Sequence, residues 1–277
     1  MSIILIFLAG TGCRSLTPLE ATQKILPRIV QLSIVTAING SASKSLSIGS
    51  GILINKEGYI ITANHLLLAG KKYMQQYSNG SPEKMAVIIA PPGMVGNKET
   101  IHPTPVNDFS VIDSDEEHDL ALLKLETDYL ISPKDGSLVP DYHFSNGISG
   151  SLVVGGASLT TKIESANDVA LSGYLSENLN LYTKTGNVTS SKGESIENAV
   201  LTDILDIPIA QNISGIYETS LEPDRNLNGG TIFQIHNGSI LGIGISLKKD
   251  KNGSDEIALI PSSIIKAVIA SHKIVWE

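Results

Sequence analysis

Three short segments carry the side chains of this chain that could do chemistry. His65 closes the run Ile-Ile-Thr-Ala-Asn-His, Asp119 opens the run Asp-Leu-Ala-Leu-Leu-Lys, and Asn228 precedes Gly229 and Gly230. A neutral imidazole can take a proton from a nucleophile and pass it to a leaving amine, and a carboxylate can hold its tautomer and offset its positive charge. His65 and Asp119 are therefore candidates for a general base and its partner.

Short β-rich runs, broken by Asn-Gly, Gly-Ser and Pro turns, must position these residues. The first half predicts strands over residues 30–35, 48–54, 59–62, 85–90 and 120–125, with the second and third forming a hairpin. The second half predicts a hairpin of residues 231–236 and 239–245 around Asn237 and Gly238, a pair that suits a type I′ turn. His65 then follows one strand and Asp119 precedes another.

Two polar stretches interrupt these strands. Residues 131–140 carry Pro133, Gly136 and Pro140, and we expect them to form the crossing between two halves of the chain. Residues 183–198 are long and polar, which predicts a surface loop, an extra hairpin or a lid over a cleft.

The chain order of these motifs resembles that of the trypsin/chymotrypsin superfamily, and most closely its bacterial HtrA (Deg) branch, over roughly residues 28–270. The resemblance implies an all-β fold of two packed antiparallel six-stranded Greek-key barrels with a short C-terminal helix. The barrels would span about residues 28–130 and 145–277, and we expect no PDZ domain. Residues 258–269 resemble the strand that enters the closing helix, with Ser262 or Ser263 as its cap.

The resemblance also implies a role for each site residue. His65 would be the general base, Asp119 its carboxylate partner, and the backbone amides of Asn226 and Asn228 the oxyanion hole. The family writes its last motif Gly-(Asp/Asn)-Ser-Gly-Gly, so Asn228 stands where the nucleophilic serine is expected. A carboxamide nitrogen is delocalised into its carbonyl and is no nucleophile, although asparagine tolerates a tight turn and can hydrogen-bond His65.

Three functions compete for such a chain. We expect an inactive protease homologue, a pseudoprotease, whose cleft binds an extended peptide or a protein. The first alternative is an active serine-type endopeptidase that acts on envelope proteins, with Ser220 as the substitute nucleophile that its sequence offers. The second is an envelope lipoprotein in which the barrels are only structural.

The first residues are separate from this fold. Residues 3–9 are apolar but too few to span a bilayer, which indicates a signal peptide over residues 1–12. Gly10 to Cys13 resembles a bacterial lipoprotein cleavage site, so we expect lipidation of Cys13, followed by a linker over residues 13–27. A signal peptide with an incidental cysteine is the alternative. The protein would then be exported and anchored in the cell envelope, on its periplasmic or outer surface.

Composition limits the partners. The chain has 277 residues and a net charge of −8, from 20 basic and 28 acidic residues without a basic cluster. A nucleic acid is therefore not an expected partner, because phosphate binding needs a concentrated basic face.

The acidic run before Asp119 lacks the glycine and distant glutamate of a calcium loop, and we expect neither metal nor cofactor. With Cys13 as the sole cysteine, the mature domain cannot depend on disulfides.

Overall fold

A computed structural model gives the structure of the chain over residues 15–38, 41–55, 57–77, 83–88, 106–126, 129–131, 138–143, 157–164, 167–174, 181–249 and 253–277. Cys13 and the expected signal peptide lie outside these residues. Within them, no helix combines the length and the apolar character that a membrane crossing requires.

The first half folds into an antiparallel sheet. Its strands are β1 (Ile29–Ile38), β2 (Ser41–Leu53), β3 (Tyr59–Ala63), β4 (Glu83–Ile88), β5 (Val106–Asn107), β6 (Phe109–Asp115) and β7 (Leu120–Leu125). They lie in the order β5-β4-β1-β2-β3-β7-β6. β7 reads Leu-Ala-Leu-Leu-Lys-Leu and is buried at every position except the lysine, as expected for an apolar run in the middle of a core.

The second half forms another antiparallel sheet, and two short strands lie between the halves. The short strands are β8 (Tyr129–Ile131) and β9 (Leu138–His143), which pair with each other at the ends of the predicted crossing. The sheet contains β10 (Asp168–Tyr174), β11 (Leu181–Asn187), β12 (Glu194–Leu201), β13 (Ile209–Glu218), β14 (Thr231–Gln234), β15 (Ile240–Lys248) and β16 (Glu256–Pro261). Their order is β11-β10-β14-β15-β12-β13-β16, and a further pairing of β15 with β16 closes part of the sheet on itself.

Several details differ from the sequence expectations. Each large sheet has seven strands in the described residues, where six were expected. The polar stretch 183–198 is mostly strand, since β11 and β12 cover both of its ends. The predicted hairpin of β14 and β15 is present, but its turn is longer than type I′: Gly238 N–H donates to Gln234 O, and Gly238 takes the positive φ of 70°.

Three α-helices flank the sheets: α1 (Pro18–Ile25), α2 (Asn64–Tyr77) and α3 (Ser262–Ser271). α1 falls within the expected linker; a capping box of Thr17 and Glu20 begins it, and Ala21 and Ile25 are fully buried in the core. The capping prediction for α3 was wrong. The N-cap is Pro261, and Ser262 is already helical with its hydroxyl donating to Thr160 O at 2.5 Å.

The C-terminus of the chain is held by a buried cation. Arg28 is fully buried and donates to Leu53 O at 3.2 Å, to Ile54 O at 3.0 Å and to Glu277 O. Its guanidinium also lies 4.5 Å from the centre of the Trp276 ring. Burial lowers the pKa of Arg28 to about 10, partly opposed by the Glu277 charge. The residues after α3 are thereby bound to the start of β1.

The two large sheets meet at Ser50 in β2. Ser50 is fully buried; its hydroxyl accepts from Tyr174 N at 2.9 Å and its N–H donates to Asn228 O at 2.8 Å. Gly229, the residue after Asn228, has φ +72°. A Cβ built there would overlap Ser50 O and lie 2.8 Å from Thr62 Oγ1. The glycine is therefore required by both its conformation and its neighbours.

We expect Gly229→Ala to lower the free energy of unfolding by more than about 3 kcal/mol, from left-handed backbone strain and overpacking together. Gly238→Ala is the matched control: its φ is +70°, but the nearest atom to a Cβ is the flexible Lys24 Cδ at 2.9 Å. That control should lose only about 1–2 kcal/mol. Urea unfolding curves measure both values, and equal losses would show that the contact with Ser50 contributes nothing.

Candidate functional site

The pairing of β3 with β7 brings His65 and Asp119 together. Ala63, the last residue of β3, pairs with Leu120, the first residue of β7, so the residues just beyond each strand are neighbours. Asn64 N–H donates to Asp119 O at 3.0 Å and His65 N–H donates to Asp119 Oδ1 at 2.8 Å. His65 Nδ1 lies 2.6 Å from Asp119 Oδ2. The carboxylate thus binds both the backbone and the ring of His65.

This pair is sealed from solvent. Both side chains have a relative exposure of 0%, and Asp119 has φ 53°, an uncommon value for a residue other than glycine. The Asp119 contact places the ring proton on Nδ1, which leaves Nε2 of His65 as a hydrogen-bond acceptor. Among the described residues that nitrogen is buried and has no hydrogen-bond partner. No described residue therefore takes the hydrogen-bonding position at Nε2 that a nucleophile would need.

Asn228 lies on a turn that packs near the start of α2, the helix that carries His65. It follows the short 3₁₀ turn Arg225–Leu227 and is fully buried. A Cβ built on Gly49 would meet Leu66 Cδ1 at 2.5 Å and Asn228 O at 2.8 Å, so Gly49 is enclosed between this turn and the helix start that carries His65. The segments of His65 and Asn228 thus meet at Gly49, and Asp119 is bonded to His65; the catalytic roles of these residues stay predictions from the sequence.

The Asn228 carboxamide is bonded to backbone on three sides. Its Oδ1 accepts from Ser246 N at 2.5 Å, and its Nδ2 donates to Thr202 O at 2.7 Å and to Arg225 O at 3.0 Å. Both amide protons are thereby used. The hydrogen bond to His65 that the sequence suggested is not formed. The side chain joins β15, the end of β12 and its own turn.

The two other candidate residues, Asn226 and Ser220, are engaged in hydrogen bonds outside the His65–Asp119 pair. Asn226 is half-buried, and its N–H donates to Asp224 Oδ1 at 3.1 Å while its side-chain amide donates to the same oxygen at 2.8 Å. Its backbone donor is therefore engaged where an oxyanion hole would need it free. Ser220 is exposed, and its hydroxyl accepts from Asn187 N at 2.9 Å, so it is no substitute nucleophile for His65.

Asp203 belongs to the site and was missed by the sequence analysis. It is 1% exposed; its Oδ1 accepts from Leu205 N at 2.8 Å and from Ile207 N at 3.4 Å, and its Oδ2 is buried without a hydrogen-bond partner in the described residues. Burial raises the pKa of Asp203, and the nearby His65 opposes that shift. An aspartate in the phrase Thr-Asp-Ile-Leu-Asp-Ile-Pro is typical of a surface turn, which concealed it.

A cavity of about 430 Å³ lies beside Asn228. Thr202 and Arg225, whose carbonyl groups hold the Asn228 amide, both line it. The remaining lining residues are Val200, Asp203, Asp206, Ile207, Pro208, Ala210 and Lys248. The cavity thus has apolar walls with charged residues among them, and it lies next to the carbonyl groups that hold the Asn228 amide.

We expect Asn228→Ala to destabilise the protein by about 3 kcal/mol, because two buried carbonyl groups and one buried N–H would lose their partner. Asn226→Ala is the control, since it removes an amide that bonds one half-buried carboxylate and should cost less than about 1 kcal/mol. Thermal and urea unfolding would measure the difference. Similar losses in the two variants would contradict the structural role of the Asn228 carboxamide.

Asp203 gives a dependence of stability on pH. Its raised pKa means that the cost of burying the carboxylate is fully present above the folded-state pKa and is relieved as the pH falls toward the unfolded value near 3.9. Asp203→Asn keeps an oxygen acceptor and removes the charge. We therefore expect the variant to be more stable than the native protein at pH 7, with a gap that narrows on acidification. Urea unfolding at several pH values measures the gap, and a constant gap would contradict the assignment.

Solved structures share this architecture. The apo protease domain of MamO from Magnetospirillum magneticum matches with a TM-score of 0.53 and 17% identity, over 88% of this chain and 97% of that domain. Deg5 matches with a TM-score of 0.51 and 17% identity, over 90% of each chain. No protein-family model and no curated protein matches the sequence. The predicted fold class is confirmed: the chain has the trypsin-like fold of HtrA/Deg-type protease domains.

Proposed function

We propose that this protein is a catalytically inactive protease homologue that binds an extended peptide without cleaving it. The observation that carries the proposal is the state of the Asn228 carboxamide, which is bonded to Ser246, Thr202 and Arg225. Asn228 stands where the resemblance to HtrA proteases leads us to expect the nucleophilic serine. Losing the serine of a Ser-His-Asp triad costs on the order of 10⁶ in turnover. The residual acceleration, roughly 10³–10⁴ over water, comes from groups other than the triad.

Two further features support inactivity. His65 is fully buried, so a substrate hydroxyl or water molecule cannot reach Nε2 without a rearrangement of the residues around it. The Asn226 N–H is bonded to Asp224, which removes one of the two donors that would stabilise a tetrahedral oxyanion. The general base and one oxyanion donor are thus both withdrawn from the position of a reacting carbonyl.

The binding role is supported by the architecture that remains. Protease clefts bind a substrate as an added strand through main-chain hydrogen bonds, and that mode needs no nucleophile. β15 runs past Asn228 to Lys248, and the 430 Å³ cavity lies beside it. Val200, Ile207 and Pro208 give this cavity apolar walls, which suits an apolar peptide side chain. Export of the protein and its anchoring through Cys13 stay predictions from the sequence.

An unfolded protein chain tests the proposal directly. Reduced, carboxymethylated α-lactalbumin should bind the native protein and remain intact after overnight incubation, as measured by titration and mass spectrometry. A serine-directed phosphonate should leave the native protein unlabelled. We expect Asn228→Ser to remain inactive as well, because this change restores neither the Asn226 donor nor access to His65.

The other outcomes discriminate among the alternatives. Cleavage or phosphonate labelling of the native protein would overturn the proposal in favour of an active endopeptidase. Cleavage by Asn228→Ser alone would show that the base and oxyanion hole operate, which supports a disarmed protease and contradicts the sealed site. An absence of binding in both proteins would favour a purely structural role.

A further inference from the structure

The strand edge beside Asn228 is already filled by the chain itself. β14 pairs with β15 from Ile240 to Ile243, and its register ends there. Further along, β12 pairs with β15, Leu201 opposite Leu247 and Val200 opposite Lys248. Leu247 also pairs with Glu256 of β16. A strand in a sheet has two edges, and at Leu247 one edge of β15 is taken by β16. β12 therefore lies on the other edge, which β14 occupies only up to Ile243.

The end of β12 makes the contacts that a bound peptide would make. Thr202 N–H donates to Ser246 O at 3.1 Å, and Thr202 O accepts from Asn228 Nδ2 at 2.7 Å. The strand is extended and antiparallel to β15, and one carbonyl points at the nucleophile position. The following residue, Asp203, is buried near His65, which opposes the rise that burial causes in the pKa of the Asp203 carboxyl group. Residues 200–203, here called the occupying segment, therefore cover the site.

The fit of the occupying segment is incomplete. Thr202 Oγ1, Asp203 Oδ2, Ser246 Oγ and His65 Nε2 are all buried without a hydrogen-bond partner in the part of the chain that the structure describes. Each such group costs free energy relative to a partnered one. Only two residue pairs join β12 to β15, and the register of β12 on β13 is broken at two places. A strand with better partners could therefore replace it.

We propose that the occupying segment is an intramolecular ligand of the peptide edge, and that a partner peptide binds by displacing it and pairing with residues 246–248 of β15. The inference rests on the proposed function and adds how binding is controlled. The tethered segment competes with any peptide at a high effective concentration. The apparent dissociation constant of a peptide is therefore its intrinsic value divided by the fraction of molecules in which the segment has left the edge.

Two variants of one residue separate opening of the edge from other effects. Thr202→Pro removes the N–H that bonds Ser246 O, whereas Thr202→Ala keeps that N–H and loses only the hydroxyl. The probe is a synthetic peptide with the sequence of residues 196–203, Ile-Glu-Asn-Ala-Val-Leu-Thr-Asp. We expect it to bind Thr202→Pro on the order of tenfold more tightly than it binds the native protein or Thr202→Ala. Titration by fluorescence anisotropy measures the three affinities.

A reversible lock tests the location. Val200 and Lys248 face each other across the antiparallel pair, at a separation that a disulfide can bridge, so Val200→Cys with Lys248→Cys would fix the segment in place. In the full chain carrying Cys13→Ser and Thr202→Pro, the oxidised form should not bind the peptide, and reduction should restore binding. If oxidation leaves binding unchanged, or if the proline and alanine variants bind alike, the inference is overturned.

Amide hydrogen exchange on the native protein tests the same displacement without depending on the folding of a variant. Adding the peptide to the native full chain should accelerate exchange of the Thr202 amide, which loses Ser246 O, while the Ser246 amide stays protected by Asn228. If saturating peptide leaves the exchange rate of the Thr202 amide unchanged, displacement is overturned but the proposed peptide binding is not. If neither the peptide nor the unfolded lactalbumin binds even when Thr202→Pro leaves the β15 edge unprotected, the proposed function fails and the inference fails with it.

Discussion

The close approach of two backbones at Ser50 and Gly229 determines the geometry of this molecule. Ser50 belongs to the sheet that positions His65, and Gly229 follows the residue at the nucleophile position. Because Gly229 carries no Cβ, its turn can lie directly against Ser50 O and Thr62 Oγ1, and Asn228 O can accept the Ser50 N–H at 2.8 Å. The sheets are thus held by main-chain contacts that do not depend on which side chain stands at position 228 of the chain.

That independence means that the backbone of the site does not require a serine at position 228. The hydrogen bonds between His65 and Asp119 follow from the register of β3 on β7, which is set by the buried apolar faces of both strands. A serine would offer one hydroxyl at position 228, whereas asparagine offers two donors and an acceptor. In this chain all of them hold backbone groups. Asn228 therefore has a structural role in this turn.

The sequence analysis predicted what short-range patterns encode. His65 and Asp119 stand next to strongly apolar strands, and the turn at Asn228 has glycines that restrict it, so their meeting could be expected. The burial of Asp203 could not, because it depends on contacts across the fold: β12 crosses to β15, and nothing in the periodicity of residues 194–203 distinguishes an edge partner from a surface strand. The Asn226–Asp224 contact spans only two residues and the helix in the expected linker begins with a capping box, so both of these have local signals in the sequence.

The occupied edge changes how a measured affinity should be interpreted. If a partner peptide displaces the occupying segment, its binding is an exchange of one strand for another. The measured free energy is then the difference between the partner's interaction with β15 and that of residues 200–203. Main-chain hydrogen bonds largely cancel in that difference, because both strands make them. What remains are side-chain contacts and the buried polar groups of His65 and Ser246, which have no hydrogen-bond partner in the described residues. Selectivity must come from a ligand that satisfies these groups, even where overall affinity is modest.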